Sequence, residues 1–342
     1  MARRSPSASA ALALAVLGVS AASAVSAQAP APAPQLTLSG GIAVGLKREA
    51  SGAQAVQQVA SLATTGNFFN IAATDELGAG WRSGVTLTAR FQPDTGSTDG
   101  GAGRAFQTSK LWVSGPWGEL GLGRFNAPTD ILRARGDLFY SAGAAAGVFG
   151  HPGDVTLRYS GMLQISTPVV NHVKAVLAVA DREANTAYPS PVPGVLVPAA
   201  RANIRELTLE YANGPQAAGL GFTENPNGVP GVRALTAVWR QPLGRALLGV
   251  VHTGLRRSNG LDAQRTSAHV NLPLAPGWVG KAGVERQRTD GQGAVTGLAL
   301  GVDRVLSPRT RLIADAWRKS SRNSTRASDG GISYALGIRH TF

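Results

Sequence analysis

The last twelve residues, Gly331-Ile-Ser-Tyr-Ala-Leu-Gly-Ile-Arg-His-Thr-Phe342, alternate strictly to the end of the chain. Ile332, Tyr334, Leu336, Ile338, His340 and Phe342 share one face, and Ser333, Ala335, Gly337, Arg339 and Thr341 share the other. A period of two describes a strand with two unlike faces. The pattern recurs along the chain and predicts strands over 36–47, 67–77, 81–92, 107–114, 119–124, 155–164, 173–180, 204–212, 217–224, 232–240, 245–254, 265–272, 278–288, 294–305, 311–319 and 331–342. Tight turns such as Gly78-Ala-Gly80, Gly115-Pro-Trp-Gly118 and Ala275-Pro-Gly277 alternate with longer polar stretches. Residues 50–65 read as a Gln/Ala/Ser loop, 93–104 as a Gly-rich outer loop and 181–201 as a Pro-rich loop. Short turns at one end and long loops at the other mark an all-β transmembrane antiparallel barrel. About sixteen tilted strands leave an open aqueous lumen, whereas eight are filled by side chains.

The first residues do not follow this rhythm. Arg3 and Arg4 precede an apolar run from Ala8 to Val19, and Val25-Ser-Ala27 fits a small-residue cleavage site. Residues 1–27 therefore read as a cleaved signal peptide, 28–34 as a short Ala/Pro spacer, and 35–342 as one barrel domain. The apolar run is too short for a membrane-spanning helix, and no other run reaches that length. Membrane integration must then use strands, and only a closed barrel satisfies strand backbones in lipid. The mean hydropathy is close to zero, as expected when half of each strand meets lipid and half meets water. There is no cysteine, so an exported chain gains nothing from disulfides.

Several stretches resemble the general porins of Gram-negative bacteria. Ala73-Thr-Asp-Glu-Leu-Gly-Ala-Gly80 is similar to their second-strand turn, and Leu111-Trp-Val-Ser-Gly-Pro-Trp-Gly-Glu-Leu-Gly-Leu-Gly-Arg124 to their fourth turn and fifth strand. Val155-Thr-Leu-Arg-Tyr159 is similar to their sixth strand, and the terminal Phe342 also matches. The resemblance spans essentially the whole mature chain. It implies a sixteen-stranded barrel, a homotrimer, an outer-membrane location, and a long third loop, here 126–154, folded into the pore as a constriction. It also implies that Phe342 is read by the barrel-assembly machinery. The chain departs from the family at Phe68 and Ala72, which stand near positions that usually carry basic residues.

A pore works by the charges in its lumen, because low-dielectric walls focus their field. The alternation puts Arg82, Arg90 and Lys110 on the polar face of neighbouring strands, and Arg158 on the polar face of the strand after the third loop. If that loop folds inward, Asp130 and Asp137 can face this basic wall, with Arg133 and Arg135 nearby. The phasing of Val155, Leu157 and Tyr159 puts them together on the lipid side. Removal of Arg3 and Arg4 with the signal peptide lowers the net charge from +13 to +11, and this surplus points to anion preference. A surface role competes, since Arg256, Arg257, Arg318, Lys319, Arg322 and Arg326 fall in or beside outer loops, where they can pair with lipopolysaccharide phosphates.

Enzyme chemistry finds no support in the motifs. His151, His172, His252, His269 and His340 are isolated, and no metal-ligand spacing, nucleophile elbow or phosphate loop occurs. No cofactor, metal site or catalytic residue is expected. Export and the lack of a clustered basic motif argue against nucleic acid. Trp81, Trp117 and Trp278 sit beside tight turns, as interfacial girdle residues do. The reading is an outer-membrane pore for small hydrophilic solutes, in contact with outer-membrane lipid and lipopolysaccharide. Its rivals are a phosphate- or organic-acid-selective channel on the same barrel, a non-conducting barrel with an adhesive or hydrolytic role, and an exported soluble β-protein.

Overall fold

The computed structural model describes residues 34–51, 54–62, 67–98, 105–139, 158–181, 202–258, 260, 262–291, 293–321 and 331–342. The chain enters with β1 (Gln35–Ser51), β2 (Gln54–Ser61), β3 (Asn67–Gly78) and β4 (Trp81–Phe91). β5 (Thr108–Gly115) and β6 (Gly118–Asn126) lead into the single α-helix among the described residues, α1 (Pro128–Gly136). β7 (Arg158–Ser166), β8 (Val173–Ala180), β9 (Ile204–Asn213), β10 (Gln216–Glu224), β11 (Arg233–Leu243) and β12 (Ala246–Arg256) follow. The rest is β13 (Ala263–Ala275), β14 (Trp278–Thr289), β15 (Gly293–Ser307), β16 (Thr310–Ser321) and β17 (Ile332–Thr341).

Each strand pairs antiparallel with its chain neighbour, and β17 returns to β1 through Gly41↔Thr341 to Arg48↔Tyr334, which closes the sheet on itself. Closure removes the exposed edges that make open sheets prone to association. Seventeen strand segments form the ring. β2 and β3 occupy the same edge of β1, the first against residues 44–51 and the second against residues 35–41. They are two halves of one stave, so the barrel has sixteen staves.

The break between those halves is bridged by Asn67. Its buried Oδ1 accepts from Ala43 N at 2.5 Å, and its Nδ2 donates to Ser61 Oγ at 2.8 Å. The amide side chain thus stands in for the backbone partner that the ladder lacks there. The segment expected as a loop over 50–65 is in this way largely a strand. Its Val56 and Val59 are three residues apart, so it carried no period-two signal.

The two faces are unlike, as the alternation requires. Large apolar side chains are exposed on the outer phase, Leu300 at 65 % and Leu336 at 59 % among them. Charged and small residues fill the inner phase, including Lys281, Glu285, Asp303 and Asp315. Apolar exposure of this extent is tolerated where lipid, not water, covers the surface. Trp81 and Trp117 lie 6.0 Å apart at the short-turn end, and Arg304 covers the Trp278 ring at 5.2 Å.

Candidate functional site: the third loop and the facing wall

The third loop leaves β6 at Asn126 and turns at once into α1. Pro128 stands in the first helical turn, where its missing N–H costs nothing. Asp130 lies in the first turn and Arg133 and Arg135 in the last, the arrangement favoured by the helix dipole. The helix packs on the inner wall formed by β9 to β12. Leu132 is fully buried against Val238 and Val251. Small wall residues permit this close approach: a side chain at Gly219 would collide with Leu132, and one at Gly249 with the Gly136 carbonyl.

The helix start is fixed by a buried carboxylate. Glu206 Oε2 accepts from Thr129 N at 3.0 Å. Glu206 Oε1 accepts from Thr129 Oγ1 at 2.9 Å, Tyr159 OH at 3.0 Å and Thr223 Oγ1 at 3.1 Å. A carboxylate in a water-poor place is stable only when donors surround it in this way. β6, β7, β9 and β10 all contribute to holding the loop, together with a cluster of Phe125, Ala127, Tyr159, Met162, Ala178, Ala180 and Ile204.

Alternation leaves the loop charges unphased, and the structure buries the two acids at α1. Asp130 and Asp137 are 1 % and 5 % exposed, and both approach Arg133, at 3.3 Å and 3.8 Å. Asn126 Nδ2 also donates to Asp130 at 2.9 Å, and Phe139 N to Asp137 at 3.0 Å. The two acids are therefore turned into the wall and do not confront the basic residues of β4 and β5. Burial pushes the Asp137 carboxyl above the usual carboxylate range, against the opposing pull of His269 and Arg133. Arg135 reaches Glu210 at 2.8 Å. Residues 140–157, the rest of the expected constriction loop, lie outside the described residues.

Phe139 ends the described part of the loop. It is fully buried with Ala43, Leu62, Ala299, Trp317 and Ala335, and Lys281 stands over its ring at 5.4 Å. Leu62 comes from the interruption between β2 and β3, so the interrupted stave and the loop meet inside the barrel.

Arg82, Arg90 and Lys110 share the inner phase, since Val85 and Leu111 between them are exposed outward and Lys110 stands opposite Thr86. Lys110 lies across Gly121 to reach Glu119 at 2.6 Å, with the Phe125 ring 4.8 Å away. Arg82 stands opposite Glu76 in the ladder, near the short-turn end, and forms no ion pair among the described residues. Arg158 is buried at the start of β7 but on the opposite phase from Tyr159. Tyr159, phased outward with Val155 and Leu157 in the sequence argument, instead points inward, to Glu206. Gly161 takes a positive φ of 60° and the β6–β7 register shifts between Gly123 and Phe125, so a bulge inverts the phase. Val155 and Leu157 lie outside the described residues.

With sixteen staves, β4 and β5 stand eight positions from β12 and β13. α1 covers β9 to β12, four to eight staves from β4 and β5, so the basic residues of β4 and β5 lie on a different part of the ring from the helix. Elsewhere the inner wall holds closed pairs. Arg265 meets Glu285, and Lys281 meets Asp303 at 2.7 Å and Asp315 at 3.1 Å. The family model of the Gram-negative porins matches residues 8–324.

The chain belongs to the Gram-negative porin family. It is an outer-membrane porin channel. Its fold is similar to that of the anion-selective porin from Comamonas acidovorans, with a TM-score of 0.74 and 20 % identity, over 90 % of this chain and 100 % of that one. OmpT of Vibrio cholerae in its trimer form gives 0.66 and 14 %, over 91 % and 100 %. A mutant Rh. blastica porin gives 0.61 and 16 %, over 90 % and 100 %. No curated protein matches the chain. Glu206, Tyr159 and Asn67 are the residues that sequence reasoning missed at this site. The signal that could have found Glu206 is a strand, Ile204–Asn213, whose inner phase carries two acids and a threonine directly after a long loop.

Proposed function

We propose that the porin passes small hydrophilic solutes by diffusion with a preference for anions. The observation that carries this is the orientation of α1. Its carboxylates are buried against Arg133 and its Arg135 pairs with Glu210 on the β9 wall, so the helix side turned from the wall carries the exposed Ile131, while Arg82, Arg90 and Lys110 stand on another part of the ring. A passage with basic groups on its wall and no bare carboxylate from the helix focuses a positive potential, which draws anions. The likeness to a porin described as anion-selective points the same way. The interior acids and bases are engaged in holding the loop and the wall, which supports a channel rather than an enzyme.

Residues 1–27 are a signal peptide and 28–34 a spacer. The pore assembles as a homotrimer, as a structure of OmpT is described. Phe342 serves the assembly machinery, and the outer rim contacts lipopolysaccharide.

The test is the reversal potential of the purified protein in a planar bilayer under a KCl gradient. A chloride-directed potential is expected, reduced by Arg90→Gln combined with Lys110→Gln. A potassium-directed potential overturns the anion preference.

A further inference from the structure

The strand registers bring basic residues side by side on the outer face, at the end that carries the longer loops. Arg205 stands opposite Glu224, Glu224 opposite Arg233, and Arg233 opposite Arg256, in one row across β9 to β12. The row shares its phase with the outward Leu207, Phe222 and Leu235. Its one carboxylate, Glu224, is bonded to Arg205 Nη1 at 3.0 Å. Arg233 and Arg256 are left facing each other as like charges, an arrangement that weakens a sheet unless something neutralises it. Arg286 and Arg288 are exposed outward on β14, opposite Thr266 and Gln264. None of these last four arginines makes an ion pair among the described residues.

A groove of about 920 Å³ runs beside three of them, lined by Arg233, Arg256, Arg288, His252 and Gln264. Its floor includes Gly254, where a side chain would meet only His252 Nε2, at 3.8 Å. Asp262 and Asp290 stand at the lip, with Asp262 accepting from Arg257 N at 3.0 Å and Asp290 from Asp262 N at 3.1 Å. One step further from the loops, the same outer phase becomes apolar through Phe222, Leu235 and Val284. The surface is thus basic at the rim and apolar directly below it.

We infer that this groove seats the phosphorylated headgroup of an outer-leaflet lipid, with its acyl chains running down over Phe222, Leu235 and Val284. Guanidinium groups match phosphate in geometry and charge. A soluble phosphate would use the arginines but not the apolar continuation, and its attraction would be screened by salt. The inference gives a site to the lipid contact proposed above and does not depend on the ion selectivity of the lumen, because none of these side chains faces it.

The test is a titration of the refolded protein in detergent with bisphosphorylated lipid A, dephosphorylated lipid A and inorganic phosphate. The double variant Arg233→Gln/Arg256→Gln is expected to lose about tenfold or more in affinity for the bisphosphorylated lipid. Gly254→Leu keeps every charge, fills the floor and is expected to lose binding as well. Arg309→Gln, at an exposed turn at the far end, is expected to change nothing. Undiminished binding by the double variant, or equal binding of the dephosphorylated lipid, overturns the inference. So does inorganic phosphate binding as tightly as the lipid, which would make this a soluble-anion site. Trimer dissociation in either groove variant would make it a protein contact. Reversal potentials on the same samples test the channel reading separately.

Discussion

Glu206 shows what one residue does here. It is wholly buried, and its oxygens gather four donors from the helix start and two strands. Removing it leaves those donors buried without an acceptor, at about 1–3 kcal/mol for each. Glu206→Ala is therefore expected to free the first turn of the third loop while the barrel stays closed. Single-channel recordings should show larger and noisier conductance, with the heat-modifiable gel shift of the folded barrel retained. An unchanged conductance would mean that Leu132 and its pocket hold the loop alone. Arg133 is the counterpart at the other end of the helix, since both loop acids depend on it. The sequence named Asp130, Arg133, Arg135 and Asp137 as a group; Arg133 meets both acids, while Arg135 reaches Glu210 on β9. It could not say that the acids point into the wall, because alternation phases strands and has no hold on a loop.

At the scale of elements, strand alternation was legible and its interruptions were not. The outer phase of β1, β4, β9 and β17 follows the sequence pattern residue by residue. β7 does not, because the bulge at Gly161 inserts a residue and turns Tyr159 inward. The second stave is broken between Ser61 and Asn67, and Asn67 repairs it with two side-chain bonds. Asn67→Ala leaves the Ala43 N–H without its partner in a buried place. Its expected cost is about 1–3 kcal/mol, measured as a lower urea midpoint, with Asn70→Ala as a more exposed control on the same strand. Equal midpoints for the two variants would show that the interruption is held by Leu62 packing instead.

For the whole molecule, closure is the decisive event. Phe342 N donates to the Gly40 carbonyl at 3.1 Å and Gly40 N to the Phe342 carbonyl at 3.0 Å, beside the β1–β17 seam. The Phe342 ring lies where a Gly40 side chain would stand. Gly40→Val is therefore expected to lower the yield of folded barrel, and deletion of Phe342 to lower it further by removing the last pair of ladder bonds as well. Gel mobility without boiling reads both. Full folding yield for the Gly40 variant would show that the ring can move aside at no cost. Of the outer arginines expected to meet lipopolysaccharide, Arg256 and Arg318 are exposed on the outer phase. Lys319 lies on the inner phase beside Trp317, and Arg322 and Arg326 lie outside the described residues.

The sequence by itself determined the barrel, its stave count, the two unlike faces, the tight turns and the inner phase of Arg82, Arg90 and Lys110. These follow from a local period of two and from the rule that backbones in lipid must pair completely. The tertiary structure alone decided which groups meet across the lumen. It turned the acids of α1 into the wall, chose Glu206 as their neighbour's anchor, brought Leu62 to Phe139 and set Arg233 beside Arg256. Those contacts depend on register, bulges and the path of a loop, and they join residues whose separation along the chain carries no pattern.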